Sequence, residues 1–201
     1  MEKIDSIAAL ESLYGTPGAP ALRKVSDYLT PLYRKWIMAS QFCIISTVGP
    51  DGTDGSPRGD DGPVVLELSP KQLALPDWRG NQRLDTLRNI VTDGRLSLMF
   101  MIAGSNNVMR VNGTAWLTDD DVLRARFDKK GIRPATVIIV DVVEIYSQCA
   151  RALMRSQIWS GEDQSIGLPT VGEILAEVSE GAEGGHRYDA DWAPRAAHTM
   201  W

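Results

Sequence analysis

The chain is poor in the side chains that most often do chemistry unaided. It has only two histidines, His186 and His198, both in the weakly patterned stretch 186–201. That argues against a histidine-based catalytic triad or a histidine-rich metal site. Its two cysteines, Cys43 and Cys149, lie in apolar runs without metal-like spacing, as small buried hydrophobes of a reducing cytosol do. No GxGxxG follows a predicted strand, and there is no Walker loop. No apolar run approaches the ~20 residues of a membrane span. The first residues mix polar and apolar types, unlike a secretory signal, so a cytoplasmic protein with no membrane contact is expected. Basic excess is missing too: net charge is −5, which argues against general nucleic-acid binding. With no evident nucleophile and base, any catalysis is expected to belong to a cofactor.

What is present is an ordinary globular composition, 43% hydrophobic and 23% charged over 201 residues. One domain over 1–201 is expected: helices in 1–40, a barrel in 41–147, and helices with a tail in 148–201. Against the acidic background, Leu73–Asn89 stands out. Arg79, Arg83 and Arg88 crowd the entrance of a predicted helix, with Gly80 and Asn81 between the first two. A helix start offers unpaired N–H groups and the positive end of the dipole. Guanidinium groups beside it make a site for phosphate or carboxylate.

Apolar spacing predicts a helix over 4–14 and a second with Leu22, Val25, Tyr28 and Leu29 on one face. Thr30-Pro31 caps and opens a third, through Trp36 and Ile37. Strand signals then begin: Phe42–Val48, the turn 49–52, and Val64–Leu68 with Leu73–Leu75 around Ser69-Pro70. Ser56–Asp61 is polar and broken by glycine, and reads as a turn. A helix over Arg83–Thr92 follows, then strands at Leu96–Ile102, Val108–Leu117 and Thr136–Tyr146. Asp119–Asp121 caps a short helix. Helices are expected over Gln148–Trp159 and Gly172–Val178, and the tail 186–201 shows no period. Many short-connected strands imply antiparallel pairing and a closed or nearly closed barrel.

Each chemical motif has two readings. In Ser56-Pro57-Arg58-Gly59-Asp60, Pro57 and Gly59 fix the backbone around Arg58, whose fork suits a phosphate or a carbonyl; a solvated turn fits equally. Arg79, Asn81 and Arg83 could be a solvated first turn paired with Asp77 and Asp85. Yet arginine at a helix N-terminus opposes the dipole, at ~0.3–1 kcal/mol each if unpaired, so an anion there is favoured. Arg110 shares a strand face with Val108, Asn112, Thr114 and Trp116, either solvent-facing or ligand-facing. Arg151, Arg155, Ser156 and Trp159 fall at helical spacing, as a packed terminal helix or as a cover for a flat ring.

Taken in order, SPRGD, LALPDWRGNQRLDTLRNI, LSLMFMIAG, VMRVNGTAWL and CARALMRSQIW resemble the pyridoxamine 5′-phosphate oxidase-like FMN-binding split-barrel flavoproteins. The likeness is to the branch with SPRGD and RGN-R-D-LRNI segments. It implies a mainly β fold with flanking helices: a six-stranded antiparallel split barrel of Greek-key type, forming a homodimer with FMN at the subunit interface. By resemblance, Pro57, Arg58 and Gly59 lie along the flavin and its phosphate arm. Arg79, Gly80, Asn81, Arg83 and Leu84 form the turn that grips the phosphate. Arg110 sits on a strand passing the cofactor, and Arg155, Ser156 and Trp159 reach the flavin from the second subunit. The chain departs from the vitamin-B6 oxidases at three places. Gly80-Asn81 replaces a Ser-Arg-Lys turn. The tail reads ArgAlaAlaHis at 195–198 where an Arg-x-His pattern is expected. Arg151 stands at an expected lysine. The resemblance therefore implies an FMN-dependent oxidoreductase of small molecules with a substrate other than pyridoxamine phosphate. The alternatives are a flavin carrier, store or sensor without turnover, and a split barrel binding another planar anion such as a deazaflavin or haem.

Overall fold

A computed structural model describes residues 1–201. Three short helices open the chain: α1 (Ile7–Glu11), α2 (Ala19–Arg23) and α3 (Pro31–Ile37). Thr30 caps α3 through its side chain, accepting from the Tyr33 N–H, with Pro31 in the first turn as expected. The helix expected over residues 22–29 ends early, at Arg23. Ser26 instead bridges to Ile145 through two backbone hydrogen bonds (2.9 and 2.7 Å), so sheet pairing overrides the apolar spacing.

Seven strands follow: β1 (Phe42–Gly49), β2 (Gly52–Gly59), β3 (Leu66–Ser69), β4 (Gln72–Asp77), β5 (Arg95–Met101), β6 (Val108–Thr118) and β7 (Thr136–Gln148). They form one antiparallel sheet in the order β2-β1-β5-β6-β7-β4-β3. This corrects the expected six-stranded barrel: there are seven strands, and the sheet is not closed, because β2 and β3 are free edges. The extra strand contains the Ser56–Gly59 segment that reads as a turn. Its glycines and proline are poor central-strand residues, but an edge strand paired on one side tolerates them.

The sheet curls round one core. Cys43, Ile45, Leu73, Leu75, Leu98, Phe100, Val111, Ile138 and Ile145 are fully buried and belong to a single cluster with Leu29, Ile37 and Ile90. Within β1, β5 and β6 the core residues alternate with half-exposed ones, so these strands have a core face and an outer face. A bulge breaks the β6–β7 register between Asn112 and Gly113, with Val143 as the extra residue. It brings the chains so close that a Cβ on Gly113 would lie 2.1 Å from the Asp141 carbonyl oxygen, so only glycine fits.

Helix α4 (Asp85–Thr92) packs across β1 at the open end. Helix α5 (Asp121–Ala125), capped by Asp120, precedes β7. A smaller cluster of Ala74, Phe127, Val137 and Ile139 gathers Trp78 and Leu123 against it. After β7 come α6 (Arg151–Ser156), α7 (Val171–Val178) and α8 (Gly185–His198). Helix α6 is shorter than the expected Gln148–Trp159 because Gln157 turns left-handed. Helix α8 was illegible as a period. It is held to α7 by Asp189, which accepts from the Gly172 N–H (2.8 Å) and the Thr170 hydroxyl (2.6 Å). No helix is long and apolar enough to cross a membrane.

Candidate functional site: an arginine-lined cleft

A cleft of about 1360 Å³ opens where edge strand β2, the end of β4 and the start of α4 meet. In register, Arg58 lies opposite Cys43, Ser56 opposite Ile45 and Asp54 opposite Thr47, all partners on the core face. The three polar side chains of β2 therefore project past the rim of the core into the cleft. Arg58 reaches Asp77 (Nη2–Oδ1 3.5 Å), the Pro57 carbonyl (3.0 Å) and the Ser56 hydroxyl. Its Nε is buried without an acceptor. Burial pushes the Asp77 carboxyl above the usual carboxylate range, and the Arg58 guanidinium only partly counters it. Burial likewise pushes the Cys43 thiol up to about 12, Arg58 again opposing.

The 78–85 segment supplies the next part. Gln82 and Leu84 both have left-handed backbones (φ 61° and 63°). For non-glycine residues this conformation costs ~1–3 kcal/mol, and such strain concentrates at ligand sites. It turns the chain so sharply that α4 starts without a side-chain cap. The Arg83 N–H donates to Asn81 Oδ1 (3.1 Å), and Arg83 Nε donates to Asp85 Oδ2 (2.9 Å). Arg79 is exposed and forms no ion pair; with Gly80, Asn81, Arg83 and Leu84 it lines the cleft. Behind them, the buried Thr86 hydroxyl donates to Asp54, fastening α4 to β2.

A second wall, backed by Asp60 of the SPRGD segment, comes mostly from residues the sequence did not single out. Asp60, with a side chain 5% exposed, accepts from Trp78 Nε1 (3.1 Å), Lys129 Nζ (2.7 Å) and the Gly62 N–H (3.2 Å). Lys129 also pairs with Asp61. Arg124, Arg133 and Trp201 complete this side. Their signal is tertiary: Trp201 is far away in sequence yet meets Trp78 edge-on, ring centroids 5.0 Å apart. Five arginines and three aspartates line the cleft, so it is cationic in an acidic protein.

The structure thus brings Pro57, Arg58 and Gly59 together with Arg79, Gly80, Asn81, Arg83 and Leu84. It does not bring the others there. Arg110 faces the opposite side of the sheet, in a row with Met99, Ile44 and Pro57, and stacks on Tyr146 (5.3 Å). Its Nη1 donates to Gln148 (3.4 Å), and its Nε, like that of Arg58, is buried without a partner. Arg155, Ser156 and Trp159 are exposed on and after α6; Trp159 Nε1 donates to the Ser105 carbonyl (2.9 Å), away from the cleft of its own chain. Arg195 and His198 are exposed on α8: Arg195 stacks on Tyr188, and His198 Nδ1 lies 2.7 Å from the Pro194 carbonyl oxygen.

An antiparallel sheet with flanking helices and a cationic cleft beside its edge strand defines the class. The chain belongs to the pyridoxamine 5′-phosphate oxidase family, whose sequence model it matches over residues 29–149. That span begins one residue before the N-cap of α3 and ends just after β7. No curated protein sequence matches the chain. Among solved structures it is similar to HupZ of Group A Streptococcus at 18% identity and a TM-score of 0.50, covering 59% of this chain and 93% of that one. It is also similar to an FMN-binding protein of Syntrophomonas wolfei, at 12% identity and a TM-score of 0.44, covering 58% of this chain and 83% of that one. At such identities the first likeness is one of fold.

Proposed function

We propose that the cleft holds FMN and that the chain works as a homodimeric FMN-dependent oxidoreductase. The observation that carries this reading is the uncapped, strained start of α4 beside Arg79 and Arg83. Free N–H groups, the positive helix end and one unpaired guanidinium together fit a phosphate. Arg58 fits the remainder of the cofactor: its buried Nε lacks an acceptor, which a ring carbonyl or phosphoribityl oxygen would supply. FMN, when bound, supplies the redox chemistry. The protein's own residues bind the anion, aim Arg58 through Pro57 and Asp77, and shield one wall with Trp78.

A second copy of the chain would complete the site. The chain exposes 13609 Å², whereas a globular chain of 22.1 kDa exposes about 9,300 Å². The surplus is apolar in many places, including Phe42, Trp116 and Val143 on the sheet and Ile158 and Trp159 after α6. A partner placed on the outer face would cover Arg110 and bring Arg155, Ser156 and Trp159 towards the neighbouring flavin. The ties of Arg195 and His198 within α8 favour a substrate other than pyridoxamine phosphate. One observation favours a carrier or sensor instead: the cleft lining contains no histidine or cysteine, so turnover would rest wholly on the cofactor.

Absorbance of the purified protein, with mass spectrometry of what heat releases, tests the cofactor. Up to one FMN per chain is expected. A colourless protein that ignores micromolar FMN, or one releasing a deazaflavin or haem, ends the FMN reading. Oxidation of NADH or NADPH under air then separates enzyme from carrier.

A further inference from the structure

The second wall of the cleft is left unused by that reading. Arg124 spends Nε on the Pro134 carbonyl (2.8 Å) and Nη1 on Asp121 (2.9 Å); its Nη2 makes no hydrogen bond. Arg133 has one long contact, Nε to Asp128 at 3.4 Å, and both of its Nη groups are free. Neither carboxylate lies in the cleft, so two guanidiniums on this wall have no anion facing them there. Beside them stand two indoles. Trp201 meets Trp78 with planes at 71°, and Lys129 Nζ sits 5.0 Å from the centre of the Trp201 ring. The Asp60 hub fixes Trp78 and Lys129. Residues Arg124 and Arg133 come from α5 and its connection to β7, whereas the phosphate-binding turn leads into α4, so the two cationic groups are carried by different elements. The cleft, at about 1360 Å³, also exceeds the roughly 300–1,000 Å³ of a one-ligand pocket.

We propose that this wall is a second anion subsite, which takes an acidic small molecule with a flat ring: an aromatic carboxylate or sulfonate. The arginine forks hold the acidic group, and Trp78 and Trp201 hold the ring. In naming that molecule as the substrate, the proposal rests on the FMN reading above, and it supplies the substrate class which that reading leaves open.

The probes are naphthalene-2-sulfonate and the neutral 2-naphthol, titrated by calorimetry into the purified protein after incubation with FMN. The sulfonate should bind at one per chain, and the naphthol about tenfold or more weaker, the lower end for a charge-assisted contact. Arg133→Gln, at an exposed side chain with one long ion pair, should weaken the sulfonate about tenfold and leave the naphthol and the FMN content unchanged. Trp201→Ala should weaken both probes alike. Equal binding of sulfonate and naphthol, or an Arg133→Gln variant that binds sulfonate as the parent does, overturns the subsite. FMN content, read by absorbance in the same samples, reports separately on the cofactor. Sulfonate binding that depends on Arg133 in a protein that never takes up FMN would sink the cofactor reading and leave the subsite standing.

Discussion

Arg58 and Arg110 lie on opposite faces of one sheet, and each buries an Nε that finds no acceptor. Their surroundings differ. Arg58 has a carboxylate, a hydroxyl and a carbonyl from its own chain and lies in a cleft. Arg110 has an aromatic ring and one long amide contact, on a face where Asn112 Oδ1 is also buried without a partner. An unsatisfied buried polar group costs ~1–3 kcal/mol. On the Arg58 side a small ligand can remove that cost. On the Arg110 side the row of Ile44, Met99 and Tyr146 is half-exposed, and a second copy of the chain, as proposed above, would cover it. On the reading proposed above, the first face is the cofactor site and the second the subunit interface.

The sharpest way to break this contrast is to charge the outer face. Met99→Glu should yield a monomer that loses its flavin while its far-ultraviolet circular dichroism stays that of the parent. Sedimentation that still shows a flavin-loaded dimer would remove the outer face from the interface. The next effect belongs to the cleft. Replacing Arg79 and Arg83 together with alanine should cut FMN affinity by roughly a hundredfold or more, at ~1.5–3 kcal/mol for each charge-assisted contact. Riboflavin, which lacks the phosphate, should bind as before; equal losses would move the phosphate elsewhere. A smaller effect would link the two faces. If Trp159 covers the flavin of the neighbouring chain, Trp159→Ala should brighten bound FMN fluorescence and leave phosphate affinity intact, and unchanged emission would make α6 a packing helix. The smallest effect is a slope. Asp77 has a raised pKa in the folded state, so the fold holds more protons there than the unfolded chain does just above the ordinary carboxylate range. That contribution is present at low pH and is lost as pH rises through the folded pKa. Denaturation midpoints of the parent should therefore fall relative to Asp77→Asn as pH rises through that window, and parallel curves would show that Arg58 already holds Asp77 ionised.

Much of the frame was legible because local rules governed it. Thr30-Pro31, Asp120 and Ser69-Pro70 ended or opened elements where their side chains and fixed dihedrals dictate. The segment 79–84 was legible as a cationic turn because Arg79 and Arg83 lie close together in sequence. What stayed hidden depends on distant partners. Strand β2 has the composition of a turn and is a strand because β1 lies beside it. Residues 24–29 carry helical spacing, but Ser26 pairs with Ile145. Helix α8 contains Pro194 and starts at a glycine, and Asp189 ties it to α7. Arg124, Arg133 and Trp201 share no motif and meet only through the fold. Arg110 was rightly assigned to one strand face, but alternation could not tell which side of the sheet holds the cleft.

Strand β2 has a consequence for how the protein keeps to itself. Its one partner is β1, so a row of backbone donors and acceptors lies open beside the arginine-lined cleft. Such a row is a template for adding strands from other molecules. The sequence GlyThrAspGlySerProArgGly makes it a poor one: three glycines give an incoming strand no side chains to pack on, and Pro57 has one hydrogen-bond donor fewer. The residues that aim Arg58 into the cleft are therefore also those that discourage sheet-extended fibres. The mouth of the site can stay accessible to small molecules without becoming a seam along which copies polymerise.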